Sequence, residues 1–370
     1  MPPPRTVKHA SVKPGRPPSA KNHLELLRRM PKADIHCHLD GSLRPATVLE
    51  LARERGVKLP GDSVEEITPH VQVAPTCRSL REFLDVFDLI VPLLRDAPAL
   101  ERIAYELCED CALENIRHVE VRYAPVLNAT ARFTVDDTIE AVLRGLSRGL
   151  KDFGVTSGVI LCLFRSHGPQ ENRRVFSALK RFFKPANGLS KPGVVGMDLA
   201  GDEARYPTME YASFYEEARA RGIRTTCHAG ETVGTANLQA ALALEVHRIG
   251  HGTHLMEDAR LLKEVVRRNI PLEIGITSNV RTKTVPDLRS HPARRFYDQG
   301  VPITLNTDDR GVIGIDLTHE YEAALELGFS VQELMALSLK SVDHLFLPAV
   351  DRDRLRKKFT KELESLGSAP

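Results

Sequence analysis

The sequence predicts an α/β fold, a closed (β/α)8 TIM barrel, from three observations. Eight short runs rich in β-branched residues lie along the 370-residue chain, and segments with the apolar spacing of helices separate them. Strands that alternate with helices form parallel sheets, and eight such units in a chain of this length are typical of a closed barrel. Polar residues also follow nearly every run at its carboxyl end, where barrels of this class hold their active sites.

The eight predicted strands can be placed on the chain in order. They cover residues 34–39, 118–123, 157–164, 194–199, 224–228, 248–251, 271–276 and 302–305. An open, doubly wound sheet is the competing architecture, and it usually has a Gly-rich phosphate-binding turn after its first strand. Because the first strand here runs into HCHLDG instead, the pattern favours the barrel.

Two helical additions to the barrel are also predicted. A helical insertion at residues 58–94 follows the first strand, and from Leu334 onward we expect a C-terminal helical extension. The insertion contains apolar residues at helical spacing, which are Leu80, Phe83, Leu84 and Phe87. Two interpretations of them stay open: the helix packs this face on the body of the protein, or the segment is a lid that excludes water from the mouth.

Composition and charge limit the classes of partner. Hydrophobic residues make up 42% of the chain and charged residues 27%, and no run of 18 apolar residues predicts a membrane span. The first 22 residues contain five basic residues, six prolines and no acid, so we expect a disordered tail at 1–22 and a barrel domain at 23–370. Without the tail the formal net charge falls from +2 to −3, which argues against nucleic acid or a membrane as partner.

Cysteine usage indicates a reducing compartment. The tail lacks the apolar segment of a secretion signal, so we expect the six cysteines to be free thiols in the cytoplasm. Cys108 and Cys111 form a C-x-x-C in a segment with a helical pattern, and no second pair follows. We interpret them as two thiols one helical turn apart rather than as a metal site.

A metal site is predicted at the carboxyl end of the barrel. His36 and His38 are alternate residues of the first strand, so both imidazoles face the same side, and two such buried rings favour a metal. His228 ends the fifth strand and Asp308 follows the eighth. Three nitrogen ligands and one carboxylate suit Zn²⁺ with room for a water. Binuclear relatives of such barrels generally bridge two metals with a lysine on strand four, and strand four here, VVGMDLAGDE, has none, which favours a single ion.

Two further residues are placed for proton transfer. A bound zinc lowers the pKa of its water to about 7, and His251 at the end of the sixth strand is predicted to act on that water as a base or an orienting group. Glu231, three residues beyond His228, is predicted to be the acid, so we expect burial to raise its pKa. The alternative for Glu231 is a charge at a helix N-terminus. Asp309 is predicted to orient the metal ligand or to bind substrate.

The motifs PKADIHCHLDGS, EVRYAP, VVGMDLAGDE, CHAGE, RIGHGTH, TSN and LNTDD occur in this order across residues 31–345. In them the sequence resembles the adenosine deaminase family of metal-dependent amidohydrolases. The resemblance implies one Zn²⁺ held by His36, His38, His228 and Asp308, with Glu231 as the proton donor to N1 of the purine and His251 as the group that orients the attacking water. The substrate contacts that it implies are His38, Asp40 to a ribose hydroxyl, Gly201 to N3, Asp309 to N7 and an apolar gate of Leu80, Phe83, Leu84 and Phe87.

The implied reaction is hydrolytic deamination of adenosine or 2′-deoxyadenosine, so the expected partner is a small purine nucleoside. Two loops depart from the usual family pattern, because GITSNVRTKTV replaces CPxSN and TDDRG replaces TDDP, which adds Arg281 and Arg310. Similar loops occur in family branches that act on N6-methyl-AMP and 6-aminodeoxyfutalosine. A guanidinium can bind phosphate or carboxylate, whereas the alternative is that these arginines face solvent or pair with acids.

Other functions are weighed against this one. A non-catalytic binding protein on the same barrel stays a remote alternative, and the sequence leaves a homodimer open. A cytidine-type deaminase uses H-x-E with P-C-x-x-C, and the C-x-x-C here lacks the preceding proline. We therefore discard that class.

Overall fold

Parallel strands in the order of the sequence form the centre of the fold. The computed structural model describes residues 20–77, 80–184, 188–232 and 234–367. Its strands are β1 Lys32–His38, β2 Ile116–Tyr123, β3 Thr156–Phe164, β4 Gly193–Ala200, β5 Arg224–Thr225, β6 His228–Ala229, β7 Ile249–His251, β8 Leu272–Ile274 and β9 Ile303–Leu305. Strands β1 to β5 pair in sequence order in one sheet and β6 to β9 in a second, and every pairing is parallel.

Backbone hydrogen bonds join the two sheets into a barrel. Strands β5 and β6 are two parts of the single strand predicted at 224–228, and Thr226 between them donates its N–H to Met197 of β4 at 2.8 Å. At the other junction the N–H of His38 donates to the carbonyl of Asp308, and the N–H of Asp308 donates to the carbonyl of His36, each at 2.8 Å. The first strand is therefore bonded to the segment after the last, and the predicted barrel architecture is confirmed.

Helices connect the strands and cover their outer faces. The α-helices are α1 Ala20–Arg29, α2 Pro45–Glu54, α3 Val64–Val71, α4 Leu80–Leu84, α5 Phe87–Ile90, α6 Ala97–Leu113, α7 Pro125–Asn128, α8 Val135–Phe153, α9 Pro169–Phe182, α10 Ala212–Ala220, α11 Ala236–Ala243, α12 Ala259–Arg268, α13 Ile276–Arg281, α14 Ala293–Asp298, α15 Arg310–Ile313, α16 Leu317–Glu326, α17 Val331–Ser341 and α18 Ala349–Gly367. Short 3-10 helices lie at Val91–Leu94, Thr208–Tyr211, Thr253–Glu257, Leu288–Ser290 and Val342–His344. No helix in the described ranges is long and apolar enough to cross a membrane.

The two predicted helical additions are present. Helices α3, α4 and α5 form most of the insertion after β1, and α17 and α18 form the C-terminal extension. The extension covers the amino-terminal end of β1, where Phe359 and Leu345 pack on Ala33 and Ile35. Since the carboxyl ends of the strands stay clear of it, the extension leaves the opposite face of the barrel for the site.

The predicted tail lies mostly outside the described residues. Residues 1–19 are not described, and helix α1 begins at Ala20, three residues before the boundary placed at 23. The division into a tail and a barrel domain stays a prediction.

Charged side chains fill part of the barrel interior, which the apolar character of the strands did not predict. Arg122 of β2, Glu273 of β8 and Arg248 before β7 are all buried. Arg248 pairs with Glu120 at 2.6 Å and with Glu273 at 2.6 Å, and the Phe346 ring covers its guanidinium at 3.6 Å. Buried ions are tolerated only when they are paired, so these contacts are a condition of the fold.

Candidate active site

The four predicted metal ligands meet at the carboxyl end of the barrel. Their ligand atoms all lie within 4.8 Å of one another. The Nε2 atoms of His36 and His38 are each 3.3 Å from Oδ1 of Asp308, and Nε2 of His38 is 3.3 Å from Nε2 of His228. Residues that are up to 272 positions apart in sequence thus converge because β1, β6 and the segment after β9 end at the same edge.

The cluster fits a metal cation on its own chemistry. Nε2 of His36 is buried and forms no well-aligned hydrogen bond among the described residues, although Oδ1 of Asp308 is 3.3 Å away. Burial lowers the pKa of His38 well below its usual range, which favours the neutral ring that binds a metal. Burial acts in the same direction on His36, but Asp308 and Glu273 outweigh it and raise the pKa of that ring to about 9. Nitrogen and oxygen atoms with lone pairs that lie so close together without hydrogen bonds are explained by a cation between them.

Two buried carboxylates contact the outer nitrogens of two of the predicted metal-ligand histidines. Oε2 of Glu273 lies 2.8 Å from Nδ1 of His36, and Oδ2 of Asp198 lies 2.9 Å from Nδ1 of His228. Arg122 bridges both carboxylates, at 2.8 Å to Glu273 and 2.9 Å to Asp198. Such partners fix the orientation of a ligand ring and raise its basicity.

The sequence alone predicted no role for this network. The usable signal was a carboxylate inside an otherwise apolar strand, as for Glu273 in β8 and Asp198 in β4. Arg122 gave no such signal, because its strand β2, IRHVEVRY, contains several other polar residues. Such a carboxylate faces the barrel interior only if its strand has the right phase, and in strands buried on both faces the pattern does not reveal that phase.

Two site residues have a left-handed backbone. His251 has φ of +63° and Asp308 has φ of +59°, in a region that residues other than glycine rarely adopt. Each such residue costs about 1–3 kcal/mol, and surrounding contacts must hold it. For Asp308 one of these contacts is Ser278 of α13, whose Oγ donates to Oδ2 at 2.7 Å.

His251 and Glu231 lie beside the cluster, as predicted. Nε2 of His251 is 3.9 Å from Oε2 of Glu231. Burial raises the pKa of Glu231 to about 8, and the charges of Asp308 and Glu203 add to the effect. The direction of this shift agrees with the expected rise, and a pKa of about 8 favours the protonated carboxyl at neutral pH.

A buried carboxylate that the sequence analysis missed holds the loop of Glu231. Glu203, which is 2% exposed, accepts the backbone N–H of Gly230 at 2.7 Å, of Glu231 at 2.9 Å and of Thr232 at 3.2 Å. It lies within the VVGMDLAGDE motif, but only the contact with the distant CHAGE segment reveals its role. Glu203 therefore fixes the backbone from which the acid projects.

The predicted substrate contacts line the same region. Asp309 is buried, its Oδ1 has no hydrogen-bond partner in the described chain, and burial with the charge of Asp308 holds its pKa well above the usual range. A Cβ at Gly41 would lie 1.7 Å from this oxygen, so only glycine leaves room for it. Burial raises the pKa of Asp40 to about 6, and Gly201 has φ of +99°, which favours glycine.

The apolar residues of the insertion pack on the body of the protein. Phe83 is fully buried, Leu84 and Phe87 are half-buried against the same core, and the Phe83 and Phe87 rings are 6.3 Å apart. The side chain of Leu80 lies outside the described residues. The packing agrees with the first interpretation of this segment, and its function as a gate stays a prediction.

The two additional arginines differ. Arg310 is buried and pairs with Glu114 at 2.5 Å, which also accepts the backbone N–H of Leu317 at 2.6 Å, so Arg310 fills a structural role rather than reaching a substrate. Arg281 has no ion-pair partner in the described ranges, its Nη1 is buried without a hydrogen bond, and burial lowers its pKa. Of these two arginines, Arg281 is therefore the one without an acidic partner among the described residues.

Comparisons with known proteins identify the family of the chain. A family model described as adenosine deaminase matches residues 31–362. An adenosine deaminase of Shigella flexneri is 36% identical over 332 residues, which cover 89% of this chain and 97% of that protein.

Solved structures give the same picture. An amidohydrolase from Burkholderia ambifaria with bound Zn has a TM-score of 0.82 and 25% identity, with 96% of this chain and 98% of that chain covered. The N6-methyl-AMP deaminase of Arabidopsis thaliana has a TM-score of 0.76 and 29% identity, with 92% and 98% covered.

The contact between Ser278 and Asp308 yields a test of the metal site. Ser278→Ala removes the hydroxyl that holds the Asp308 carboxylate, so we expect the affinity for Zn²⁺ to fall about 10- to 100-fold. The measurement is competition with a chromophoric chelator. Ser341→Ala is the matched control, because Ser341 is also buried but bonds only to the carbonyl of Ser338. Equal affinities of the two variants would contradict the assignment.

Proposed function

The chain belongs to the adenosine deaminase family, and on that basis we propose that it hydrolyses adenosine or 2′-deoxyadenosine to the corresponding inosine and ammonia. The observation that carries the proposal is a buried carboxyl, Glu231, that keeps its proton at neutral pH beside a cluster of four metal-ligand side chains. An acid and a metal site so close together suit the addition of water to an electron-poor ring.

We propose that His36, His38, His228 and Asp308 hold one Zn²⁺. The donor set of three imidazoles and one carboxylate supports this choice. When bound, Zn²⁺ supplies a Lewis acid that makes water nucleophilic near neutral pH. Strand β4 has no lysine, which favours a single ion.

Glu231 is assigned to the proton transfer at the purine. Addition of water at C6 moves negative charge onto the ring, and a proton delivered to N1 neutralises it as it develops. The protonated Glu231 carboxyl can deliver that proton, whereas a carboxylate with the ordinary pKa of glutamate could not. His251, 3.9 Å away, is assigned to the attacking water.

Polar groups around Asp309 are assigned to the rest of the nucleoside. Burial and the charge of Asp308 hold the pKa of Asp309 well above the usual range, which favours the protonated carboxyl, and a protonated carboxyl can donate to N7 of the purine. The backbone N–H of Gly201 is assigned to N3, His38 is a further contact, and the Asp40 carboxylate is assigned to a ribose hydroxyl. These assignments follow the family resemblance, and the unpartnered Oδ1 of Asp309 supports them.

A second candidate function is deamination of an adenosine that carries an anionic 5′ group, such as N6-methyl-AMP or 6-aminodeoxyfutalosine. The observation in its favour is Arg281, whose buried Nη1 has no partner in the described chain. Arg281 lies one helical turn after Ser278 on α13, so both residues belong to the same helix face.

A non-catalytic role, a cytoplasmic location and a homodimer stay predictions from the sequence.

Glu231 provides the direct test of the proposed reaction. We expect purified protein loaded with Zn²⁺ to release ammonia from adenosine, and we expect the rate to fall as pH rises through about 8, because Glu231 then loses its proton. Glu231→Gln should lower kcat by about 10²–10⁴-fold while metal content is unchanged. The exposed Glu326→Gln is the control. A Glu231→Gln variant with normal turnover would show that the acid is misassigned.

Arg281 separates the two candidate substrates. If the substrate carries a 5′ anion, Arg281→Ala should lower kcat/KM for AMP, N6-methyl-AMP or 6-aminodeoxyfutalosine about 10- to 100-fold, since a charged hydrogen bond contributes about 1.5–3 kcal/mol. The rate with adenosine should stay within about two-fold. Release of ammonia or methylamine is the readout, and Arg289→Ala, an exposed arginine after the same loop, is the control. Equal loss with adenosine and with the anions would exclude a 5′-anion contact.

A further inference from the structure

We propose that Asn279 and His291 are positioning residues that hold His251 in the tautomer with its proton on Nε2. His251 then presents an N–H, and not a lone pair, to the reacting atoms. The inference rests on the proposed function for its catalytic meaning, but the geometry behind it is independent of the substrate.

The chain of hydrogen bonds begins at a backbone amide N–H, which can only donate. The N–H of Ala293 points at Nδ1 of His291 across 3.1 Å, so Nδ1 must be the acceptor. A neutral imidazole carries one proton, and in His291 this proton therefore lies on Nε2. Burial lowers the pKa of His291 to about 3, which keeps the ring neutral.

The proton on His291 fixes the side-chain amide of Asn279. Nε2 of His291 lies 3.1 Å from Oδ1 of Asn279 and donates to it. The other end of the amide, Nδ2, then faces Nδ1 of His251 at 2.9 Å and donates in turn. An Asn side chain turned by 180° would place two donors against each other at the His291 contact, so the orientation of the amide follows from the chemistry.

The same logic sets the protonation of His251. Its Nδ1 accepts from Asn279, so the single proton of the neutral ring lies on Nε2. Nε2 is the nitrogen that lies 3.9 Å from Glu231, and the His251 ring is 5.0 Å from the ring of His36 and 5.1 Å from that of His228. The donated hydrogen bond of Nε2 is therefore directed at the site.

The hydrogen-bond relay from His291 through Asn279 to His251 is rigid and shielded from water. His251, Asn279 and His291 are all buried. The backbone N–H of Asn279 donates to Gly275 at 2.9 Å, and its carbonyl accepts from Val285 at 3.0 Å, so the amide side chain starts from a fixed point. With no solvent to offer other partners, each ring nitrogen has one defined role.

The chemical consequence concerns how His251 acts on water. An imidazole with Nε2–H can donate to the oxygen of the attacking water and point a lone pair of that oxygen at C6. It cannot remove a proton from the water through the same nitrogen. The relay thus assigns His251 to orientation and to stabilisation of negative charge on oxygen, rather than to general base catalysis.

Asn279→Asp inverts the relay with almost no change of shape. A carboxylate accepts at both oxygens, so it keeps the hydrogen bond from His291 but forces His251 to donate through Nδ1. We expect kcat to fall on the order of 10³-fold or more, as when a catalytic histidine is held in the wrong tautomer, with KM within about three-fold because Asn279 is not assigned to the substrate. Asn279→Ala removes the restraint without imposing the wrong tautomer.

The relative loss of kcat in Asn279→Asp and Asn279→Ala shows whether Asn279 sets the tautomer or only supports the fold. If Asn279 only supports the fold, Asp should be the milder change, because it preserves both hydrogen bonds and the side-chain volume. If Asn279 sets the tautomer, Asp should be at least as damaging to kcat as Ala. His291→Ala should lower kcat about ten-fold, and the exposed His319→Ala should not.

Nitrogen-15 NMR of histidine-labelled protein reads the tautomer without any turnover. In the wild-type chain, metal-free and loaded with Zn²⁺, we expect the proton of His251 on Nε2, and in Asn279→Asp we expect a proton on Nδ1. The buried His118 ring should be unchanged. A wild-type proton on Nδ1 would overturn the relay even if adenosine is deaminated, whereas failure to deaminate any adenine nucleoside would reject the proposed function and leave the NMR result standing.

Discussion

The arrangement of the site depends on one buried guanidinium. Arg122 holds Glu273 at 2.8 Å and Asp198 at 2.9 Å, and these carboxylates hold the back edges of His36 and His228. Removal of one partner from a buried ionic pair costs about 3–5 kcal/mol, because the other charge is left in the core. The network therefore couples the stability of the barrel to the positions of the metal-ligand rings, and the barrel fold is what brings its members from β2, β4 and β8 to one place.

A second constraint is the direction of the side chains at the ends of the strands. His251 and Asp308 leave their strands in a left-handed conformation, and each is held by a residue of α13, Asn279 or Ser278. One short helix thus contacts both a proposed metal ligand and the histidine assigned to the attacking water. The hydrogen bonds from Asn279 and Ser278 offset the backbone strain, and they keep the side chains of His251 and Asp308 in orientations that these residues would not adopt alone.

Much of this could be predicted from the sequence, for a clear physical reason. Alternation of strands and helices indicates a barrel, and in a barrel the carboxyl ends of all strands meet at one mouth. The proximity of His36, His228 and Asp308 could therefore be predicted. The ion-pair partner of Arg310 could not be predicted, because Glu114 lies 196 residues away and no local pattern connects the two residues. The role of Glu203 could not be predicted, because it accepts hydrogen bonds from backbone N–H groups, and these do not depend on the residue type.

The proposed reaction depends on a single Zn²⁺ held by three imidazoles and one carboxylate. X-ray absorption spectroscopy at the zinc edge, on protein loaded to saturation and freed of excess metal, is the sharpest test of this metal site. We expect one ion per chain, a first shell of nitrogen and oxygen only, with Zn–N distances of about 2.0–2.1 Å, and scattering from the outer atoms of imidazole rings. A sulfur shell, a second metal at short distance or no retained zinc would contradict it.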